Sequence, residues 1–146
     1  MITREDLHGS WQVVSWEQRY DDGRVVRPMG ENPVGGLTYV GDRMVALLSR
    51  ADREPFRTGG QWDASDEEKA GAYAETLAYS GSFDVEGDVE GDTVVHRVEV
   101  SIFPNWVGLD QRRRLSLDGD RLVESGRIEE GTSEARTVEL TFQRTR

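Results

Sequence analysis

Three polar side chains near the middle of the chain have a spacing that places them on one surface. His96, Gln111 and Arg113 lie in two segments in which apolar and polar residues alternate. A histidine can move a proton near neutral pH, and an arginine with a glutamine can stabilise an enolate-like oxygen. The pattern therefore predicts either an acid–base site or a set of polar contacts that orients a ligand.

The two segments that carry these side chains read as β-strands over 92–101 and 110–117. Strict alternation is typical of half-buried strands. The residues predicted to face inward on the first strand are Val94, His96, Val98, Val100 and Ile102. Those predicted to face inward on the second are Gln111, Arg113, Leu115 and Leu117, with Arg112 and Arg114 in solvent. Antiparallel pairing would put the polar groups in an apolar interior, where each needs a protein, water or ligand partner.

The rest of the chain reads as a meander of strands. The eight predicted strands cover 10–20, 34–40, 43–49, 80–86, 92–101, 110–117, 121–128 and 135–144. Short turns connect them at one end and longer loops at the other, which favours an all-β, eight-stranded, antiparallel up-and-down barrel with one open end. One helix is predicted over 65–79, between strands three and four, with Ser65 and Glu68 as a capping box. Its place near the open end suggests either a lid or core packing.

Closure of the barrel would pair the first strand with the last. Trp11 opens the first strand and Arg144 ends the last, both on the predicted inner faces. An arginine stacked on an indole would plug the closed end.

Composition limits the classes of function. The chain has 146 residues, a net charge of −10, 32% charged residues and no cysteine. We expect one domain over residues 1–146, and no binding to nucleic acid or anionic membranes. No apolar run approaches the roughly 20 residues of a transmembrane helix. The first ten residues lack the apolar core of a signal peptide, so we expect a cytoplasmic protein. Oligomeric state is not indicated.

Several segments resemble those of small bacterial and fungal lipocalin-like domain proteins, which are calycin-type barrels. The matching segments are Gly9-Ser10-Trp11 with Val14 and Ser15, then 36–39, 78–81, 96–101 and 104–108, ending at Gln111 and Arg113. The resemblance implies an eight-stranded barrel with an internal cavity. It implies no particular reaction, because fold does not fix function.

The residues predicted to form the site divide into two groups. His96 and Arg113 are the catalytic candidates. The ligand-binding candidates are Tyr39, Tyr79, Asn105, Trp106, Gln111 and Glu124. Structural alternatives remain open: His96 as a satisfied core histidine, Arg113 paired with Glu17 or Glu124, Trp106 as a rim anchor, and the tyrosines as core.

Two functions fit these residues. We favour a binding module that holds a small, largely apolar molecule, aromatic or polyketide-like, in the barrel. The alternative is a cofactor-independent isomerase or cyclase with His96 as general acid or base. No metal motif or phosphate-binding loop is present in the sequence, and we expect no cofactor. Haem bound through His96 is a lesser option.

Overall fold

The computed structural model describes residues 1–145 and shows a closed antiparallel barrel. Its strands are β1 (Gly9–Tyr20), β2 (Val25–Val26), β3 (Val34–Val40), β4 (Arg43–Ser49), β5 (Thr76–Asp88), β6 (Gly91–Ser101), β7 (Asp110–Asp118), β8 (Arg121–Ile128) and β9 (Arg136–Arg144). Its helices are α1 (Arg4–Leu7) and α2 (Asp66–Ala74), with a 3₁₀ turn at Pro104–Trp106. Sequential pairing from β3 to β9, with β1 joining β3 and β9, closes eight strands. The predicted eight-stranded barrel is confirmed.

The helix was predicted between strands three and four, but helix α2 lies between β4 and β5. The difference comes from strand β2, two residues in a segment predicted as a loop, which pairs with the upper part of β1. No helix within residues 1–145 is long and apolar enough to cross a bilayer.

Helix α2 also ends earlier than the predicted 65–79. Ser65 caps it, accepting from the Glu68 N–H at 3.1 Å. The chain leaves the helix at Glu75 and continues as β5, where Leu77 pairs with Leu48 and Tyr79 with Ala46 of β4. Hydrogen bonding to the β4 edge thus overrides the helical spacing of the apolar residues after Ala74.

A β-bulge in β1 explains why apolar residues occur on both alternating faces of its sequence. The register with β9 shifts between Val13 and Ser15. Trp11 and Val13 are buried before the bulge, and Trp16 and Gln18 are buried after it. The extra residue reverses the alternation, so both sets point into the barrel.

A second bulge corrects the prediction for β6. The register between β5 and β6 shifts at Ser80 and Gly81, opposite Val98 and Val100. Val94, His96 and Val98 are buried as predicted, but Val100 is 66% exposed. At this point the backbones approach so closely that a Cβ on Gly81 would lie 1.8 Å from the Arg97 carbonyl oxygen.

The base of the barrel is closed by the predicted pair. The Arg144 guanidinium carbon lies 4.1 Å from the centroid of the Trp11 ring. Arg144 also donates to the carbonyls of His8 at 2.7 Å and Asp6 at 2.8 Å, which holds α1 across the closed end. The Trp11 indole N–H donates to the Leu7 carbonyl at 2.8 Å. The connections between β3 and β4, β5 and β6, and β7 and β8 are the short ones.

Gly81→Ala tests the second bulge. The new methyl group has no room, so we expect a loss of about 1–3 kcal/mol in the free energy of unfolding, measured by urea denaturation. The matched control is Gly71→Ala in α2, where a Cβ meets nothing within 4 Å. That change should be neutral or stabilising by roughly 0.5–1 kcal/mol, since alanine favours a helix. Equal effects at the two sites would show that the close approach at Gly81 is not a constraint.

Arg144→Ala tests the closed base. Loss of the stacking on Trp11 and of the contacts to α1 should lower the free energy of unfolding by at least about 1 kcal/mol. Ligand affinity should not change, because the cavity opens at the other end. Arg112→Ala removes an exposed arginine with one ion pair to Glu86 and should cost less than about 1 kcal/mol. Intact stability together with lost ligand binding in Arg144→Ala would contradict the assignment of the two ends.

Candidate functional site

The upper half of the barrel encloses a cavity of about 420 Å³. This lies within the range of roughly 300–1,000 Å³ that small-molecule sites occupy. Its walls are mainly apolar and include Leu37, Leu48, Leu77, Val138, Leu140 and Phe142. Its polar lining residues include Gln18, Thr76, Arg113, Glu124 and Arg136. The cavity therefore offers apolar contact over most of its surface and polar contacts at a few points.

Aromatic rings border the cavity on the side of β5 and the β6–β7 loop. Trp106 stands edge-on to Tyr79, with ring centroids 5.5 Å apart, and to Phe103 at 5.6 Å. The loop that holds Trp106 is tied down by backbone bonds from Gly108 to the Val98 carbonyl at 2.9 Å and from Val98 to the Leu109 carbonyl at 3.0 Å. These rings are thereby held in place and give the border of the cavity fixed apolar surfaces.

A chain of hydrogen bonds crosses the barrel at the floor of the cavity. The Tyr79 hydroxyl lies 2.8 Å from His96 Nδ1, and His96 Nε2 lies 2.7 Å from the Tyr39 hydroxyl. The Tyr39 hydroxyl donates to Glu124 Oε2 at 2.8 Å. The chain links β5, β6, β3 and β8, so four strands meet through side chains at one level.

The geometry fixes the proton positions when Glu124 is ionised. Tyr39 then donates its only proton to the carboxylate, so its oxygen accepts from His96 Nε2–H. The other ring nitrogen, Nδ1, is left to accept from the Tyr79 hydroxyl. Every donor in the chain points towards Glu124. If Glu124 is protonated and donates to Tyr39, the whole chain can reverse and His96 changes tautomer.

Burial shifts the titration of these groups. It raises the pKa of Glu124 to about 7, although the Tyr39 bond and the charge of Arg113 act in the opposite direction. Burial also lowers the pKa of His96 to about 3, with a further contribution from Arg113, so the imidazole is neutral. The pKa of each tyrosine is raised above its ordinary value, mainly by burial. Among the four hydrogen-bonded side chains, Glu124 is therefore the one that titrates near neutral pH.

Arg113 is buried beside this chain. Its guanidinium donates to the Arg112 carbonyl at 2.8 Å and to Gln111 Oε1 at 3.2 Å. Within residues 1–145, no carboxylate forms an ion pair with Arg113 within 4.0 Å. The predicted alternative, in which Arg113 pairs with Glu17 or Glu124, was therefore wrong. Glu17 instead pairs with Arg19 and Arg27.

The structure brings most of the predicted site residues to the cavity or to the layer directly beneath it. Tyr79, Trp106, Arg113 and Glu124 line the cavity. Tyr39 and His96 lie directly beneath it, fully buried, and Gln111 holds Arg113. Asn105 is exposed in the 3₁₀ turn and does not line the cavity. Both ring nitrogens of His96 are already bonded, so it is not placed to ligate a haem iron.

Several residues that line the cavity were not predicted from the sequence. Trp16 and Gln18 reach the cavity because the bulge in β1 reverses the alternation after Val13. The Trp16 indole N–H is buried without an acceptor in the described part of the chain, as is the Thr76 hydroxyl. The apolar residues on both faces of the segment 10–20 were the one signal of the bulge. No three acidic or histidine side chains within residues 1–145 come together as a metal site.

A family model for the lipocalin-like domain matches residues 8–145. The chain belongs to the lipocalin-like domain family. The eight-stranded closed barrel and the enclosed cavity agree with this assignment.

A curated relative of this lipocalin-like chain comes from Aspergillus oryzae (strain ATCC 42149 / RIB 40). It is named a 4'-hydroxy-3'-methoxypropiophenone carrier protein and is 45% identical over 62 residues. The match covers 40% of this chain and 56% of the relative, so it spans little more than half of that protein. No solved structure matches the chain.

His96→Gln tests the buried hydrogen-bond chain through pH. The unfolded histidine takes up a proton below pH 6.5, whereas the folded one does so only near pH 3. The stability that His96 contributes is thus present above pH 6.5 and is lost as the pH falls. The difference in unfolding free energy between wild type and variant should narrow by up to about 1.4 kcal/mol per pH unit between pH 6.5 and 4.5, as measured by urea denaturation.

Glu124→Gln should show the opposite sign. The folded carboxyl keeps its proton up to about pH 7, and the unfolded one loses it near 4.5. Wild type therefore loses stability relative to this variant as the pH rises from 4.5 to 7. Parallel pH profiles for wild type and both variants would show that neither group is perturbed by the barrel.

Proposed function

We propose that this lipocalin-like chain is a carrier that holds a small aromatic molecule, of the hydroxyaryl ketone kind, in its barrel cavity. The observation that carries the proposal is the cavity itself: about 420 Å³, apolar on its walls, closed at the base and polar at the floor. Such a site buries a planar apolar ligand and orients its few oxygens.

The aromatic border supports an aromatic ligand. Tyr79, Phe103 and Trp106 are already packed edge-on in pairs, so a ring inserted beside them meets surfaces that need little reordering. Pre-ordered rings raise affinity because less side-chain entropy is lost on binding. The polar candidates Arg113 and Glu124 lie below them, where a ring substituent would reach.

The Aspergillus oryzae relative supports the class of ligand. Its name specifies a carrier of a propiophenone with a hydroxyl and a methoxy group on the ring. The proposal extends this chemistry to residues 1–146, taken as one binding domain. The cytoplasmic location remains a prediction from the sequence.

The isomerase or cyclase alternative has no comparable support. His96 bonds to a tyrosine hydroxyl through each ring nitrogen, and burial lowers its pKa to about 3. A general base needs a lone pair within reach of the substrate proton and a pKa nearer the working pH. We therefore assign His96 a positioning role beneath the cavity, and Arg113 a role in binding.

Titration calorimetry with 4'-hydroxy-3'-methoxypropiophenone tests the proposal. We expect saturable binding at one site per chain. Trp106→Ala should weaken it by roughly tenfold, since a ring that packs on the ligand contributes about 0.5–1.5 kcal/mol beyond its area. The matched control is Trp62→Ala: Trp62 is 78% exposed and does not line the cavity, so its loss should leave affinity unchanged.

Two results would contradict the carrier proposal. One is the absence of saturable heat from folded wild-type protein at millimolar ligand. The other is an equal loss of affinity in Trp106→Ala and Trp62→Ala, which would place the ligand outside the barrel.

A further inference from the structure

Two groups at the floor of the cavity keep hydrogen-bonding capacity that the protein does not use. Glu124 accepts from Tyr39 through Oε2, and its other oxygen, Oε1, has no donor among residues 1–145. Arg113 has five N–H donors and makes two hydrogen bonds. Both side chains are more than nine-tenths buried, and both line the cavity. Buried polar groups of this kind are ordinarily satisfied, so a partner from outside the protein is expected.

Arg113 is held beside its own strand and not against the carboxylate. A Cβ on Gly126 of β8 would lie 3.3 Å from the Arg113 Cδ, so the missing side chain leaves room for the arginine stem. The guanidinium donates to the Arg112 carbonyl and to Gln111, and within residues 1–145 it forms no ion pair with Glu124 within 4.0 Å. Both charged groups border the cavity, where a ligand can reach them.

The orientation of Glu124 is fixed by hydrogen bonds from residues beneath the cavity. The Tyr39 hydroxyl donates to Oε2, His96 bonds to the Tyr39 hydroxyl, and Tyr79 bonds to His96. Oε1 is left as the oxygen that the ionised carboxylate presents to the cavity. The floor thus offers one acceptor from β8 and several donors from β7.

We infer that Arg113 and Glu124 together form a subsite for a neutral hydroxyl group on the ligand's aromatic ring. This inference rests on the proposed carrier function and specifies which end of the ligand is bound deepest. A hydroxyl donates to Glu124 Oε1 and accepts from the Arg113 guanidinium, which gives each group a partner. A methyl ether can only accept, so it leaves Glu124 unpaired. A ring hydrogen leaves both unpaired, which costs affinity because the polar groups lose water without replacement.

Three ligands separate these cases in calorimetry at pH 7.5. They are 4'-hydroxy-3'-methoxypropiophenone, 3'-methoxypropiophenone, which lacks the hydroxyl, and 3',4'-dimethoxypropiophenone, in which it is capped. Wild type should prefer the first over both others by roughly 10- to 100-fold. The ligand without the hydroxyl controls for the size of the added methyl group.

Glu124→Met identifies the acceptor. Neither direction of the hydrogen-bond chain then presents an acceptor to the cavity, because Tyr39 can donate to His96 instead. The preference for the hydroxyl over the methyl ether should fall to about threefold or less. The preference over the ligand without the hydroxyl should persist in part, because the hydroxyl still accepts from Arg113. The matched control is Glu99→Met, which removes an exposed carboxylate that pairs with Arg43 on the outer surface and should keep the full preference.

Arg113→Met identifies the donor. It should weaken the hydroxyl ligand by at least about tenfold, while Arg112→Met, the outward-facing neighbour, should not. Circular dichroism of each variant confirms that the barrel is folded before affinities are compared.

The outcomes separate the subsite from the carrier function. Equal binding of all three ligands to wild type would overturn the subsite and leave the carrier proposal standing. A full preference for the hydroxyl over the methyl ether that survives in Glu124→Met would overturn the assignment to Glu124. If none of the three ligands binds, the carrier proposal for this ligand class is overturned, and the subsite with it.

Discussion

The hydroxyl of Tyr39 is the contact on which the interior of the barrel depends. It bridges the His96 imidazole and the Glu124 carboxylate, groups that are costly to bury unless each finds a partner. The three side chains come from β3, β6 and β8, so the bridge spans the barrel. Below it the interior is packed solid, with Trp11 and Phe83 among the fully buried rings. Above it the walls are apolar and the space is open. The bridge therefore sets the depth of the cavity.

The two bulges lie at the transition between these halves. In β1, Trp11 and Val13 belong to the packed base, whereas Trp16, beyond the bulge, lines the cavity. In β6, His96 lies beneath the floor, whereas Val100, beyond the bulge, is turned outward. A bulge adds local twist and bends its strand. Above this level side chains such as Trp16 border the cavity.

The alternation of apolar and polar residues predicted which side chains face inward where a strand is regular. It did not predict which side chains face inward beyond a β-bulge. The inner face of β7 was predicted from Leu115 and Leu117, because that strand is regular, and the Trp11–Arg144 contact followed from closure. An inserted residue leaves the sequence alternating on each side of the bulge. The outward direction of Val100 could therefore not be predicted from the alternation. The bonds of His96 could not be predicted either, since they join residues 17 and 57 positions away whose distances exist only in the folded barrel.

The same chain that satisfies His96 also bears on the kind of function the cavity can have. A base must present a free lone pair to its substrate, but each nitrogen of His96 is engaged, and its neutral form is stabilised by burial. The polar group that faces the cavity is instead one oxygen of Glu124. The hydrogen bond from Tyr39 to the other oxygen fixes its direction. Fixed acceptors select ligands by where their donors lie, because a misplaced donor leaves a buried group unpaired. The buried polar residues are thus better suited to recognition than to turnover.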